Sequence, residues 1–367
     1  MSLRFDNTLF LLWLAALAVG VVMVTSASLN AANPAPFALA TRHGVYVAAG
    51  MLSYGVAISL PLKFWFVLHR PLLVLSAGLL VLVLIPGIGL EANGATRWIG
   101  LGSFSVQAAE VAKFCMVVYL AGYISRCKGG PGHELDGELS VLARPLVVLA
   151  VICSLILIEP DFGSVVVIAA VGGGLLFLGG ARLRHFLSVS VAALGLLAIV
   201  AVLQPYRLDR IKTFTNPWEF AQDSGYQLTQ ALIAFGRGEW FGLGLGDGVQ
   251  KLAYLPEAHN DFIYAVVAEE LGLLGTIGVL VLLCLLVLRI FRIAGCSKVP
   301  FARYVAYGAG LLIGVQTLIN VGVNTGILPT KGLTLPFISY GGNSLVVCCA
   351  LLGLAQRADM EVRDGRK

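Results

Sequence analysis

The sequence predicts an all-α polytopic membrane protein with ten transmembrane helices, and three observations carry that expectation. Only 12% of the 367 residues are charged, about half the share of an ordinary soluble domain. Hydrophobic residues make up 58% of the chain, and its mean hydropathy is +0.88. Apolar runs long enough to cross a bilayer, about 20 residues each, recur from one end to the other.

The ten runs lie at roughly 8–28, 44–62, 71–90, 108–125, 145–158, 163–181, 186–204, 262–288, 304–325 and 339–356. The first is longer than the apolar core of a signal peptide and no small-residue cleavage site stands out, so it reads as retained. The fifth is short. Orientation follows from Lys and Arg in the short loops, which favour the cytoplasm. With the N-terminus inside, sixteen of the 25 basic residues fall on inner segments, among them Arg4, Arg70, Arg126, Arg289 and Lys367. Short outer loops carry only Arg42, Arg97 and Lys331, and both termini are then cytoplasmic. All seven cysteines fall in spans or inner loops, so none faces the side where a disulfide can form. The net charge of +5 reflects the inner-loop excess and gives no argument for nucleic-acid binding.

The chain reads as one membrane domain, 1–367, with no soluble part large enough to fold alone. The inner loop 126–143 is Gly-rich and polar and reads as flexible. The large extracytoplasmic segment 205–261, between spans seven and eight, is different in kind: it holds Trp218, Trp240, Tyr206, Tyr226 and Tyr254. Its stretch GYQLTQALIAFG (225–236) has helical spacing of apolar residues that suits a membrane surface. FGLGLGDG (241–248) resembles a phosphate loop only superficially, since no strand pattern precedes it and no Lys-Ser/Thr follows.

Ionisable groups crowd into one place. YLPEAHNDFIYAVVAEELG (254–272) holds Glu257, His259, Asp261, Glu269 and Glu270, in a chain with 20 acidic residues and 5 histidines. Pro256 is expected near the start of span eight, where its missing N–H costs nothing. Glu257 then falls in the first turn, where the helix dipole favours an anion. At about 100° per residue, Ala265 and Ala268 line up with Asp261, Glu269 is offset by about 80°, and Glu270 points away. The alanines leave a groove beside Asp261, which marks it as the functional candidate. Glu257, Glu269 and Glu270 read first as capping and packing groups.

Other polar exceptions gather on the same side. Glu110 and Lys113 share one helix face at i, i+3 and can neutralise each other. An ionisable residue inside a span costs roughly 2.5–3.5 kcal/mol on insertion scales, so each is a functional candidate. Arg97, beside Trp98, suits a phosphate or anchors the interface. Glu159 and Asp161 belong to EPDFGS (159–164), read as a tight outer turn. Gln316, Asn320 and Asn324 recur at i, i+4, i+8, as interhelical amides do. PTKGLTLPFISYGGNS (329–344) breaks the helical pattern and places Lys331, Ser339, Tyr340 and Ser344 on the outer side. Irregular backbone at that depth is buried in protein or lines a cavity. Together these residues describe an outer-leaflet site for an amphiphile with an anionic headgroup.

The set NGATRWI, EPDFGS, GYQLTQALIAFG, GLGDGVQKLAYLPEAHNDFIYAVVAEELG and LPTKGLTLPFISYGGNS resembles the SEDS family (shape, elongation, division and sporulation) over essentially the whole chain. QKLAYLPEAHNDF and PTKGLTLPFISYGGNS are more similar to its cell-division branch than to its elongation branch. The resemblance implies a ten-span peptidoglycan glycosyltransferase of the bacterial cytoplasmic membrane. Such an enzyme polymerises lipid II, an undecaprenyl-pyrophosphate-linked disaccharide peptide, on the outer face at the septum. It works beside a class B penicillin-binding protein, a transpeptidase, and other membrane proteins of division. The family's essential acid matches Asp261. One departure is Gln107-Ala108-Ala109-Glu110, where the family commonly has Gln-Pro-Ser-Glu. His259-Asn260, where many relatives have His-Thr, is milder.

The implied chemistry needs a base for the acceptor sugar's 4-hydroxyl, and Asp261 is either that base or the ligand of a divalent cation, Mg or Mn. Arg97, Lys113, Arg210 or Lys331 can offset charge on the departing pyrophosphate. The donor phosphate is α-linked, so direct attack inverts it to β; no second acid is placed for a double displacement. Two other readings stand beside this one. A lipid II flippase needs polar groups in the inner half of the spans and an inverted repeat, and neither is visible. A scaffold that only recruits the transpeptidase needs no acid in a groove.

Overall fold

The computed structural model describes residues 5–28, 37–92, 95–102, 104–128, 139–185, 187–188, 191, 195, 214–252 and 254–364. Ten helices carry the fold among these residues: α1 (Asn7–Ser28), α2 (Ala38–Ser59), α3 (Leu62–Val83), α4 (Ala108–Lys128), α5 (Leu139–Ile158), α6 (Phe162–Leu178), α7 (Tyr226–Gly238), α8 (Ile263–Cys296), α9 (Pro300–Asn324) and α10 (Gly342–Asp364). Six of them, α1, α3, α4, α5, α8 and α9, are long and apolar enough to cross a membrane. Nine of the ten expected spans coincide with a helix; the seventh, 186–204, lies almost wholly outside the described residues.

Helices α3 and α5 begin at Leu62 and Leu139, well before the expected starts at 71 and 145. Those starts coincide with Pro71 and Pro145, which both lie inside their helices. In water a mid-helix proline costs a hydrogen bond and clashes with the preceding turn. Between packed membrane helices, neighbouring groups re-satisfy the freed carbonyl, so the helix continues. Helix α5 is therefore a full 20 residues and is not short.

A second correction concerns the outer segment before α4. Expected as loop, it is a three-stranded antiparallel sheet of order β1-β2-β3, so the fold is helical but not purely α. Its strands are β1 (Gly89–Ala92), β2 (Ala95–Leu101) and β3 (Phe104–Gln107). Ala92 pairs with Ala95 across Asn93-Gly94, and Asn-Gly between apolar runs is the strongest short-range hairpin signal. Strand β3 runs directly into α4, so the sheet sits at the N-terminal end of that helix.

Burial separates the centre of the bundle from its rim. The apolar windows of α4 and α9 are 83% and 61% buried, against 22–39% for α1, α3, α5 and α8. Helices α4 and α9 therefore form the core, and the other four turn a wide face to lipid. Helix α10 packs closely along α2, where a Cβ added at Gly353 would lie 2.7 Å from the Tyr54 carbonyl oxygen.

Helix α8 departs from expectation at both ends of its outer part. It begins at Ile263, within a residue of the span start expected at 262, but Pro256 and Glu257 lie before it: residues 254–262 form turns, and Glu257 lies in the left-handed region at φ +56. Ala265 and Ala268 are fully buried, so they flank no open groove in the way the helical projection suggests. The helix then breaks at Gly272, at φ 67 and ψ −166, a conformation that favours glycine. The break frees two N–H groups and two carbonyls, and the segment after α7 supplies partners for all four. Leu273 and Leu274 donate to the carbonyls of Glu239 and Trp240 at 2.9 and 3.2 Å. Leu243 and Gly244 donate to the carbonyls of Glu269 and Glu270, both at 3.0 Å. In a membrane such compensation is what permits a broken helix.

Candidate functional site

Asp261 lies in the turn that leads into α8 and is half-buried. Its main chain is fixed by the amide stripe of α9. Asn320 Nδ2 and Asn324 Nδ2 both donate to the Asp261 carbonyl at 2.9 Å. Asn320 Nδ2 also donates to the Leu333 carbonyl at 2.6 Å, and Asn324 Oδ1 accepts from the Ala265 N–H at 3.1 Å. Two side chains one helical turn apart thus join the acid's turn, the start of α8 and the irregular 329–341 segment. Gln316, the third amide, lies deeper, where its Oε1 accepts from Cys348 at 3.5 Å.

The 329–341 segment wraps around the acid. A Cβ added at Gly332 would lie 2.8 Å from Asp261 Oδ2, so the absence of a side chain there makes room for the carboxylate. The Tyr340 N–H donates to the His259 carbonyl at 2.9 Å, and the two rings meet edge to face at 5.5 Å. His43 and Tyr46 of α2 lie on other sides of Tyr340, each with ring centroids 6.0 Å away. Ser339 is used locally, accepting from the Leu335 N–H at 2.7 Å. Lys331 reaches over the ring of Phe162 at 4.4 Å, which brings the start of α6 to the rim of the site. Burial holds the His259 imidazole below its usual range, with Glu257 acting in the opposite sense at 4.0 Å.

The turn between α5 and α6 ties the sheet to this rim. Asp161 caps α6, accepting from the Ser164 N–H at 3.2 Å and from Ser164 Oγ at 2.8 Å. It also accepts from Gln107 Nε2 at 3.1 Å. Arg97 is committed to the same turn: Nε donates to the Glu159 carbonyl at 3.0 Å and Nη2 to the Pro160 carbonyl at 2.8 Å. These contacts tie β2 to the α5–α6 turn, a role that the sequence reading did not name. Asn343, at the start of α10, donates to the Ser105 carbonyl at 2.9 Å and closes the ring of elements.

Glu159 itself is buried, and among the described residues neither of its carboxylate oxygens has a hydrogen-bond partner. Burial first, then Asp161, pushes its carboxyl up to about 8, with Arg97 opposing. The folded state therefore keeps a proton that the unfolded chain releases above its ordinary value of 4.5. Stability then falls as pH rises through that window and levels off above it. In Glu159→Gln this fall disappears. The Tm of the variant is expected to gain on that of the wild type between about pH 5 and about pH 9. A gap independent of pH would contradict the assignment.

Below the sheet, Lys113 and Glu110 form the expected ion pair on α4 at 2.7 Å, both buried. Ser344 and Cys348 of α10 lie nearby, and Cys348 feels the charge of both partners. Among the described residues, Glu110 Oε2 and Gln316 Nε2 are buried there with no hydrogen-bond partner. Glu269 and Glu270 serve the other side of α8. Glu269 accepts from the N–H groups of Val249 and Gln250 at 3.1 and 3.0 Å. Glu270 takes Lys251 Nζ at 2.5 Å and Ser26 Oγ at 2.7 Å. Each also reaches another helix: Glu269 lies 3.6 Å from Arg237 Nε of α7, and Glu270 takes Ser26 of α1. Arg210 lies outside the described residues. Asp261, Tyr340, Lys331, Asn320 and Asn324 are thus brought to one place, whereas Glu269 and Glu270 are not. Gly332, Gln107 and His43 were not legible as contributors, because each acts only through contacts distant in sequence.

The FtsW/RodA/SpoVE family model, described as a cell cycle protein, matches residues 6–364. The chain belongs to this family. All the site residues named above, from Ser26 to Cys348, fall within the FtsW/RodA/SpoVE match. A relative from Hahella chejuensis, named probable peptidoglycan glycosyltransferase FtsW, is 48% identical over 360 residues, covering 96% of this chain and 90% of that protein. A Pseudomonas fluorescens protein of the same name is 48% identical over 356 residues, covering 95% and 86%. Among solved structures, a chain of a peptidoglycan synthase complex that coordinates polymerization and crosslinking superposes with a TM-score of 0.81 at 30% identity, over 98% of this chain and 99% of that one. The rod shape determining protein RodA of Thermus thermophilus gives 0.72 at 29% identity, over 98% of each.

Proposed function

We propose that this chain is a peptidoglycan glycosyltransferase that polymerises lipid II on the outer face of the cytoplasmic membrane during septal wall synthesis. The observation that carries the reading is Asp261, a half-buried carboxylate whose backbone is held by two α9 asparagines and whose side chain lies over Gly332. In this reading the chain has ten spans, both termini cytoplasmic, and 205–261 as the large outer loop. A class B penicillin-binding protein is its transpeptidase partner.

The Asp261 carboxylate accepts the proton of the acceptor sugar's 4-hydroxyl as that oxygen attacks the donor's anomeric carbon. The bond to the pyrophosphate breaks on the opposite side, so the α donor becomes a β linkage. General-base assistance of this kind is typically worth about 10²–10⁴-fold. Among the described residues, Lys331, next to Gly332 and over Phe162, is a cation at the rim of the site that can offset charge on the departing pyrophosphate. Lys113 and Arg97 already serve Glu110 and the α5–α6 turn. The alternative role for Asp261 is as ligand of a divalent cation. Among the described residues no three His, Cys, Asp or Glu side chains group as a metal site. Mg²⁺ commonly uses one or two carboxylates together with substrate phosphates, a set that Asp261 and the pyrophosphate can provide. Such an ion would supply positive charge to the leaving group.

The test is a lipid II polymerisation gel on the purified protein, with and without its transpeptidase, and with divalent ions supplied or chelated. Glycan ladders from the wild type are expected. No ladder under any of these conditions, with the transpeptidase bound, would contradict the reading and favour a flippase or a scaffold.

A further inference from the structure

The segment that follows α7 leaves its largest apolar side chains outside the protein. Trp240, Phe241, Leu243 and Leu245 are 64%, 81%, 42% and 56% exposed. Contiguous apolar exposure of this kind marks an interaction surface. The backbone of the same segment is tied to α8. It carries the four hydrogen bonds that repair the break in α8 at Gly272, so its height along α8 is fixed.

Helix α8 gives the scale for that height. From Leu273 to Leu288 it has sixteen residues and no charge, about 24 Å of helix against a hydrocarbon core of roughly 30 Å. Arg289, paired with Asp6 at 2.6 Å, marks one end. Glu269 and Glu270, buried within the protein, lie just beyond the other. Leu273, Leu274, Ile277, Val281, Leu285 and Leu288 are exposed and form the lipid-facing stripe between these limits. The Leu274 N–H is bonded to the Trp240 carbonyl, so the exposed aromatic pair adjoins the outer end of that stripe. Charged residues stand on either side of the apolar run, Arg237 and Glu239 before it and Asp247 after it, and none falls inside it. Trp is enriched at the level where acyl chains meet headgroups.

We propose that residues 240–245 are a membrane-interface anchor, with Trp240, Phe241, Leu243 and Leu245 seated among phospholipid headgroups and upper acyl chains as a continuation of the α8 lipid face. The anchor fixes the segment whose amides hold the outer part of α8, and through it the turn that carries Asp261. It requires only that α8 crosses the bilayer, so it stands or falls separately from the catalytic reading.

The test is tryptophan fluorescence of the intact protein in nanodiscs of phosphatidylethanolamine and phosphatidylglycerol. Wild type minus Trp240→Phe isolates one of five tryptophans with a conservative replacement. The difference signal is expected to lose roughly half its intensity when the lipid is brominated near the headgroup, and less when the bromine is near the chain end. A difference signal that brominated lipid leaves unquenched would overturn the proposal. So would one that becomes shielded only when the transpeptidase is added, which would assign the face to a protein.

Discussion

Asp261→Asn is expected to lower lipid II polymerisation by about 10²–10⁴-fold while Tm stays close to that of the wild type. The amide has nearly the shape of the carboxylate and fits the same space over Gly332. It cannot take a proton from a sugar hydroxyl at neutral pH. The contacts from Asn320 and Asn324 go to the main-chain carbonyl of Asp261, not to its side chain, so they survive the change. That separation makes the variant informative, because chemistry is removed and the scaffold is kept. If Asp261 contributed only packing, activity and Tm would move together.

Lys113→Met has the largest expected effect on stability. Both members of the Lys113–Glu110 pair are buried. Removing one partner of such a pair leaves an uncompensated charge, at a cost of about 3–5 kcal/mol. The double variant Glu110→Gln with Lys113→Met removes both charges and is expected to recover most of that loss, since a neutral buried pair is often as stable. Thermal unfolding of the wild type, both single variants and the double variant measures the coupling. Equal losses in the Lys113→Met and double variants would contradict a paired role. Polymerisation by the stable double variant then separates a structural pair from one that also binds substrate.

Most of the helical framework was legible because hydropathy reports directly on what lipid accepts. Helices α1, α4 and α6 begin within a residue of their expected starts. The failures have specific causes. The expected starts of spans three and five fall at Pro71 and Pro145, yet the helices run through both prolines. The sheet at 89–107 was passed over because its strands are short, although Asn93-Gly94 was a usable signal. The span of α8 begins within a residue of its expected start at 262, but Pro256 and Glu257 do not belong to its first turn, because 257–262 forms a turn bonded to Tyr340 and α9, partners that no local pattern reveals.

The candidate site was legible in part. The i, i+3 spacing of Glu110 and Lys113 predicts their bond, and the helical repeat of Asn320 and Asn324 predicts a shared face. That this face holds the backbone of Asp261 depends on contacts 59 and 63 positions apart in the chain. The Ser26 partner of Glu270 is 244 positions away. Gly332 carries no chemistry of its own; its contribution is the space it leaves. Such contributions exist only in the fold.

The most direct test of the central claim compares lipid II polymerisation by wild type and Asp261→Asn, each in complex with the transpeptidase, at equal loading and matched Tm. The account predicts glycan ladders from the wild type and none from the folded variant over the same time course. Equal ladders from both would leave the glycosyltransferase standing and remove Asp261 from its chemistry.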